Sequence, residues 1–137
     1  QRPTCSTNRK ADTYCAANEI ERIDLIHMDV QGAELMVLQG AGQMLQHIAA
    51  IWLEVEAVEL YKNQPLRQDI EHFMSEHNFI CVKSTVNKVA GDQLYLNATL
   101  ISKDKIEGVS RMNIRLSKIK KWKTRYYRLR NFLTGKK

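Results

Sequence analysis

The sequence predicts an α/β fold built on a mostly parallel sheet with an antiparallel last strand. Three observations carry this. Ile23, Leu25, Ile26, Met28 and Val30 form a nearly continuous apolar run that ends on Asp29, turns at Gly32 and enters a helix at Glu34. Such a run is typical of a parallel strand covered on both faces. Strand and helix patterns then alternate, in the order that right-handed parallel crossovers require. A short polar turn, Asn87 to Asp92, joins the last two strand patterns, and a short turn dictates antiparallel pairing.

The elements follow in order. Residues 1–10 are polar and irregular. Asp12 to Asn18 form a short helix with Asp12 at a capping position and Tyr14, Cys15 and Ala16 partly inward. After the central strand and turn, Glu34 to Gln39 are helical, with Leu35, Val37 and Leu38 facing inward; Gly40 and Gly42 stop or bend the helix, and Met44 to Ile48 add a further turn. Ala49 to Glu56 is the second buried strand. Its acids Glu54 and Glu56 share a face, because a strand repeats every two residues. A loop over 57–65 contains Tyr61, Asn63 and Pro65. Leu66 to His77 is a helix with Ile70, Phe73 and Met74 as its apolar stripe, stopped at Asn78. The third strand starts at Phe79, and the fourth spans Gln93 to Ile101.

Charge divides the chain. Residues 1–102 carry 8 Lys/Arg against 13 Asp/Glu, a net −5; residues 103–137 carry 13 against 2, a net +11. The division is read as an α/β domain over 1–102 and a basic amphipathic helical tail over 103–137. Met112, Leu116, Ile119, Trp122, Tyr126, Leu129 and Leu133 recur at spacings of three and four, with Lys and Arg on the other faces. Three partners suit such a tail: the domain or an acidic protein, an anionic membrane surface, or nucleic acid. Nucleic acid ranks last because no base-reading motif is present.

Composition narrows the class. A chain of 137 residues, 44% hydrophobic, can bury a core and is not disordered as a whole. No apolar run is long enough to span a bilayer, and residues 1–4 have no signal-peptide core, so a cytoplasmic protein, peripheral to membrane at most, is expected. Cys5, Cys15 and Cys81 form no CxxC pair, and His27, His47, His72 and His77 are scattered; neither a disulfide framework nor a metal site is expected.

Ala11-Asp12-Thr13-Tyr14-Cys15, Ile23 to Glu34 and Val37-Leu38-Gln39-Gly40-Ala41 together resemble the FkbM family of S-adenosylmethionine-dependent methyltransferases. Leu53-Glu54-Val55-Glu56, Asn78-Phe79 and Asp92-Gln93-Leu94-Tyr95 look like its later landmarks, so the resemblance covers roughly residues 5–102. His27 stands where the family usually has lysine, and Gln31 where it often has glutamate. The resemblance implies a Rossmann-like class I methyltransferase sheet, of which this chain supplies the C-terminal half. It implies S-adenosylmethionine as cofactor and methylation of a hydroxyl on a sugar, glycan or secondary metabolite. No glycine-rich loop of the kind that approaches the cofactor precedes Asp29, so the chain reads as a fragment, inactive alone, with an exposed sheet edge. The rival reading is a non-catalytic interaction module that docks through its basic helix. The acceptor's identity and the oligomeric state are left open.

On this footing Asp29 is the candidate catalytic base and, with Val30, Gln31 and Gly32, a candidate wall of the cofactor cleft. Glu54, Glu56 and Tyr61 are candidates for substrate binding. Each has a bland counterpart. Asp29 could hold the turn, Glu54 and Glu56 could be a solvated strand end, and Tyr61 could pack its loop. Glu34 reads as a helix stabiliser, since the helix dipole favours an anion in the first turn. His27 reads as a core histidine rather than a partner of Asp29.

Overall fold

The computed structural model describes residues 11–59 and 62–112. Tyr61 and the tail from residue 113 onward therefore lie outside the described residues. In chain order the elements are α1 (Ala11–Ala17), β1 (Ile23–Met28), α2 (Glu34–Gly40), a 3-10 turn (Gly42–His47), β2 (Ile48–Glu56), α3 (Arg67–Glu76), β3 (Phe79–Ser84) and β4 (Ala90–Asn97). Residues 103–112 form a further helix, α4.

The four strands make one sheet in the order β1-β2-β4-β3. Among the described residues only β1 and β2 pair in parallel; β4 pairs antiparallel with both β2 and β3. The sheet is therefore mostly antiparallel, which overturns the mostly parallel class I sheet expected from the sequence. The reason is the hairpin. Helix α3 carries the chain from β2 to β3 but leaves a gap one strand wide, and β4 folds back from β3 to fill it. Sequence alternation identifies strands and crossovers but not whether a later strand is inserted between two earlier ones.

The hairpin is built to return closely. Asn87 Oδ1 accepts the Val89 and Ala90 N–H groups at 2.8 and 3.3 Å, and the Thr85 N–H donates to Asp92 O at 2.8 Å. A Cβ on Gly91 would stand 2.6 Å from Val86 Cα and 2.7 Å from Thr85 O, so only glycine fits there. Strand β4 stops at Asn97 rather than at Ile101. The Asn97 amide turns aside to donate to Gln46 O and Ile48 O at 3.3 and 3.0 Å, and its Oδ1 accepts the Thr99 N–H at 2.9 Å.

One sheet face carries the main core. Ile51, Leu53 and Val55 of β2, Tyr95 of β4 and Phe79 of β3 pack with Leu38 of α2, Leu45 of the 3-10 turn and Ile70 and Met74 of α3. At about 25 cal/mol per Å² of apolar surface removed from water, this layer dominates the stability of the fold. A polar chain that runs from the core to the surface ties α3 to the sheet: Tyr95 Oη donates to Gln93 Oε1 at 2.8 Å, Gln93 Nε2 to Glu71 Oε1 at 2.7 Å, and Arg67 Nε to the same oxygen at 2.6 Å.

The opposite face is only partly covered. Ile106 and Val109 of α4 pack on Val82, Leu96, Ala50 and Leu94. Towards β1 the cover ends. Leu25 is 56% exposed, and His27 is exposed with its ring edge-on to Trp52 at 6.2 Å. Strand β1 is an edge strand among the described residues. This corrects both the expectation of a strand buried on two faces and that of a core histidine.

Candidate functional site

The site grows from the carboxyl ends of β1 and β2. Met28 is in register with Leu53, so Asp29 follows β1 alongside Glu54, and Glu54 is directly opposite Asp92 of β4. Three carboxylates thus share one cross-strand row. Like charges placed opposite one another cost stability, and no ion pair among the described residues reaches any of the three. Burial raises the proton affinity of Glu54, and the negative charges of Asp29, Asp92 and Glu34 and a hydrogen bond with Asp29 raise it further. Glu54 therefore holds its proton to higher pH than an ordinary glutamate. Neighbouring carboxyl groups that share a row can pass a proton between them, which general acid–base chemistry can use.

The turn after Asp29 is fixed from within. Gln31 and Gly32 both have positive φ, +52° and +97°. Glu34, the first residue of α2 and only 3% exposed, turns its carboxylate back to accept the Val30 N–H and the Gly32 N–H, each at 2.9 Å. These are charge-assisted bonds, stronger than neutral ones. Glu34 is thus more than the dipole partner expected from its helix position: it clamps the turn that carries Asp29.

Glu56 is placed differently. It is 5% exposed, hydrogen-bonds Gln64, and has its proton affinity raised by burial and by the Glu34 charge. The site therefore brings Asp29 and Glu54 together, while Glu56 braces the Gln64 loop. Gln64 and Asp92 join the surroundings without having been singled out as site residues. Gln64 packs on Gly32, where a Cβ would meet its Nε2 at 3.4 Å. No residue spacing relates Gln64 to Gly32, and only the fold brings them together; Asp92 was visible only as a landmark of the last strand.

Among the described residues, two of the cavities flank the sheet. The larger, about 540 Å³, lies at the amino ends of β1 and β2 beside Cys15, Ile20 and His47, away from Asp29. The other, about 420 Å³, lies against the Gln31-Gly32 turn. Among the described residues no group of three or more His, Cys, Asp or Glu is arranged to hold a metal. No helix among them is long and apolar enough to cross a membrane.

A sulfonium nucleoside needs a backbone that approaches closely with free N–H groups, and an acid for its ribose hydroxyls. The turn offers neither in full. The Val30 and Gly32 N–H groups are taken by Glu34, and the space beside Gly32 is taken by Gln64. Asp29, Val30 and the Gln31 side chain remain as a wall, not a cradle, so the described residues alone do not fit the cofactor.

No solved structure matches the chain. It is 37% identical over 99 residues to the 2-O-methyltransferase NoeI of Sinorhizobium fredii, an alignment covering 72% of this chain and 40% of NoeI. The chain thus spans well under half the length of that curated relative. A model of the methyltransferase FkbM domain matches residues 6–81, more than half of the chain. On that match, and on the strand–turn–helix from Ile23 to Gly40 at its centre, the chain belongs to the FkbM methyltransferase domain family.

Proposed function

We propose that this protein takes part in S-adenosylmethionine-dependent O-methylation of a sugar or glycan hydroxyl, and that the described residues form the acceptor-side wall of the site. The observation that carries the reading is the Asp29–Glu54 pair at the carboxyl ends of two parallel strands, where α/β sheets bind their ligands. The FkbM match and the name of the NoeI relative support the reaction class.

The chain's own residues supply a proton acceptor and its support. Asp29 takes the proton of the acceptor hydroxyl, and Glu54, hydrogen-bonded to it, shares that proton as the charge on the pair changes. Glu34 holds the backbone on which Asp29 stands. Cradling of the cofactor falls to residues other than those described.

The test is methyl transfer by the full-length protein from isotopically labelled S-adenosylmethionine to a panel of neutral oligosaccharides, with the product analysed by mass spectrometry. Label in an alkali-stable methyl ether on a sugar hydroxyl is expected. No label on a sugar hydroxyl of any oligosaccharide in the panel would defeat the reading.

A further inference from the structure

We propose that the groove between the Gln31-Gly32 turn and the loop before α3 is a binding subsite for a neutral, hydroxyl-rich ligand, one or more rings of a glycan chain. The inference rests on the proposed function and names where the acceptor lies. The groove is open on one side and has a volume of about 420 Å³, within the range that small-molecule ligands occupy.

Its lining has one chemical theme. Four carboxamides, Gln31, Gln39, Asn63 and Gln64, surround it, and no carboxylate is among its lining residues. Gln31 and Gln39, both exposed, and Asn63 carry a donor and an acceptor side by side, the pattern that neighbouring sugar hydroxyls satisfy, while the Gln64 Nε2 is buried behind them. A charged ligand would be matched instead by clustered ions, and Lys62 is the single charged lining residue. Met36, 69% exposed on the same rim, offers an apolar surface for the C–H face of a ring.

The backbone is shaped around this space. Among the described residues four non-glycine residues have positive φ, and two of them, Gln31 and Asn63, line this groove. Such conformations persist where surrounding contacts over-determine them, and they gather at ligand sites. Here the contacts are visible. Glu34 clamps the first turn, the Asn63 N–H donates to Glu59 Oε1 at 2.6 Å, and the buried Glu56 holds Gln64. Gln31 is two residues from Asp29, so at most about 7 Å of main chain separates the groove from the carboxylate pair. Asp29 does not line the groove itself, so a glycan seated there reaches the carboxylate pair by extending past Gln31.

The experiment follows the Asn and Gln side-chain amide resonances of the full chain by NMR during titration with cellotetraose, maltotetraose and mannotetraose. Shifts confined to the groove amides are expected with at least one sugar. The double variant Gln39→Ala, Asn63→Gly keeps the backbone freedom at residue 63 and should weaken binding about tenfold or more. No shift with any of the three sugars, or unchanged binding by the double variant, overturns the proposal. Sugar binding without methyl transfer by the full-length protein would support the groove while removing the enzymatic reading. Methyl transfer with unaltered KM in the double variant would remove the groove and leave the enzymatic reading standing.

Discussion

The Glu34 carboxylate accepts the Gly32 N–H at 2.9 Å, across a turn whose two central residues are both left-handed. With the matching bond to the Val30 N–H, one buried side chain satisfies the turn that an external anion would otherwise occupy. The strand–turn–helix element is therefore self-contained. It presents Asp29 outward and keeps its own amides for itself.

Removing that clamp should be costly. Glu34→Ala leaves two N–H groups without their acceptor in a part-buried turn, and a loss of about 2–4 kcal/mol in unfolding free energy is expected. Glu34→Gln retains one good acceptor and should lose about half as much. Urea unfolding of the two variants checks the order.

Gly91→Ala should destabilise more than most exchanges of this size. Its Cβ would meet the backbone of Val86 and Thr85 at 2.6–2.8 Å, and the hairpin cannot yield without breaking the Thr85–Asp92 bonds. A loss of about 3 kcal/mol or more is expected, in the range of overpacking and strained-backbone effects. Thermal unfolding decides it; an unchanged midpoint would show that the hairpin relaxes freely.

These two glycines show what the sequence discloses. Gly32 is legible because it stands between a strand ending in an acid and a helix start. Gly91 is not, since the need for it arises from a hairpin register that no local pattern encodes. The strand and helix positions up to β3 follow from apolar periodicity, and the end of β4 does not, because Asn97 turns aside to bond the carbonyls of Gln46 and Ile48, far away in sequence. The mostly antiparallel sheet is not legible for a similar reason: insertion of β4 between β2 and β3 is a tertiary choice. In the site, Asp29 and Glu54 were legible as strand-end acids. The different surroundings of Glu54 and Glu56 were not, because Gln64 reaches Glu56 from a loop whose path the sequence does not reveal.

Tyr95→Phe removes the hydroxyl that donates to the buried Gln93 and leaves an acceptor unpaired, for an expected loss of about 1–2 kcal/mol. Burial, with the nearby Cys81 and Glu71 charges, pushes the Tyr95 phenol well above its ordinary range. A group whose folded pKa is raised contributes stability that is full below its unfolded pKa and is lost as pH rises through the folded one. Alkaline spectrophotometric titration should therefore show one tyrosine that ionises only as the chain unfolds.

Glu54 obeys the same sign. Its folded pKa lies above the unfolded value, so its protonation favours the folded state at acid pH and its ionisation opposes it as pH rises. Glu54→Gln, which removes one charge from the row with Asp29 and Asp92, should leave the chain slightly more stable than wild type at neutral pH, by about 0.5 kcal/mol or less, with the gain fading below the unfolded pKa. Melting curves at acid and neutral pH read the difference. A variant less stable than wild type at neutral pH would mean that Glu54 is a structural acid.

The proposed methyl transfer depends on Asp29 and its partner as proton acceptor. Steady-state kinetics of the full-length protein and its Asp29→Asn variant, on an acceptor identified by the labelling experiment, test it most directly. The variant is predicted to lower kcat by about 10²–10⁴-fold with little change in KM. A variant that retains wild-type kcat would contradict the account and leave Asp29 as the solvated end of an edge strand.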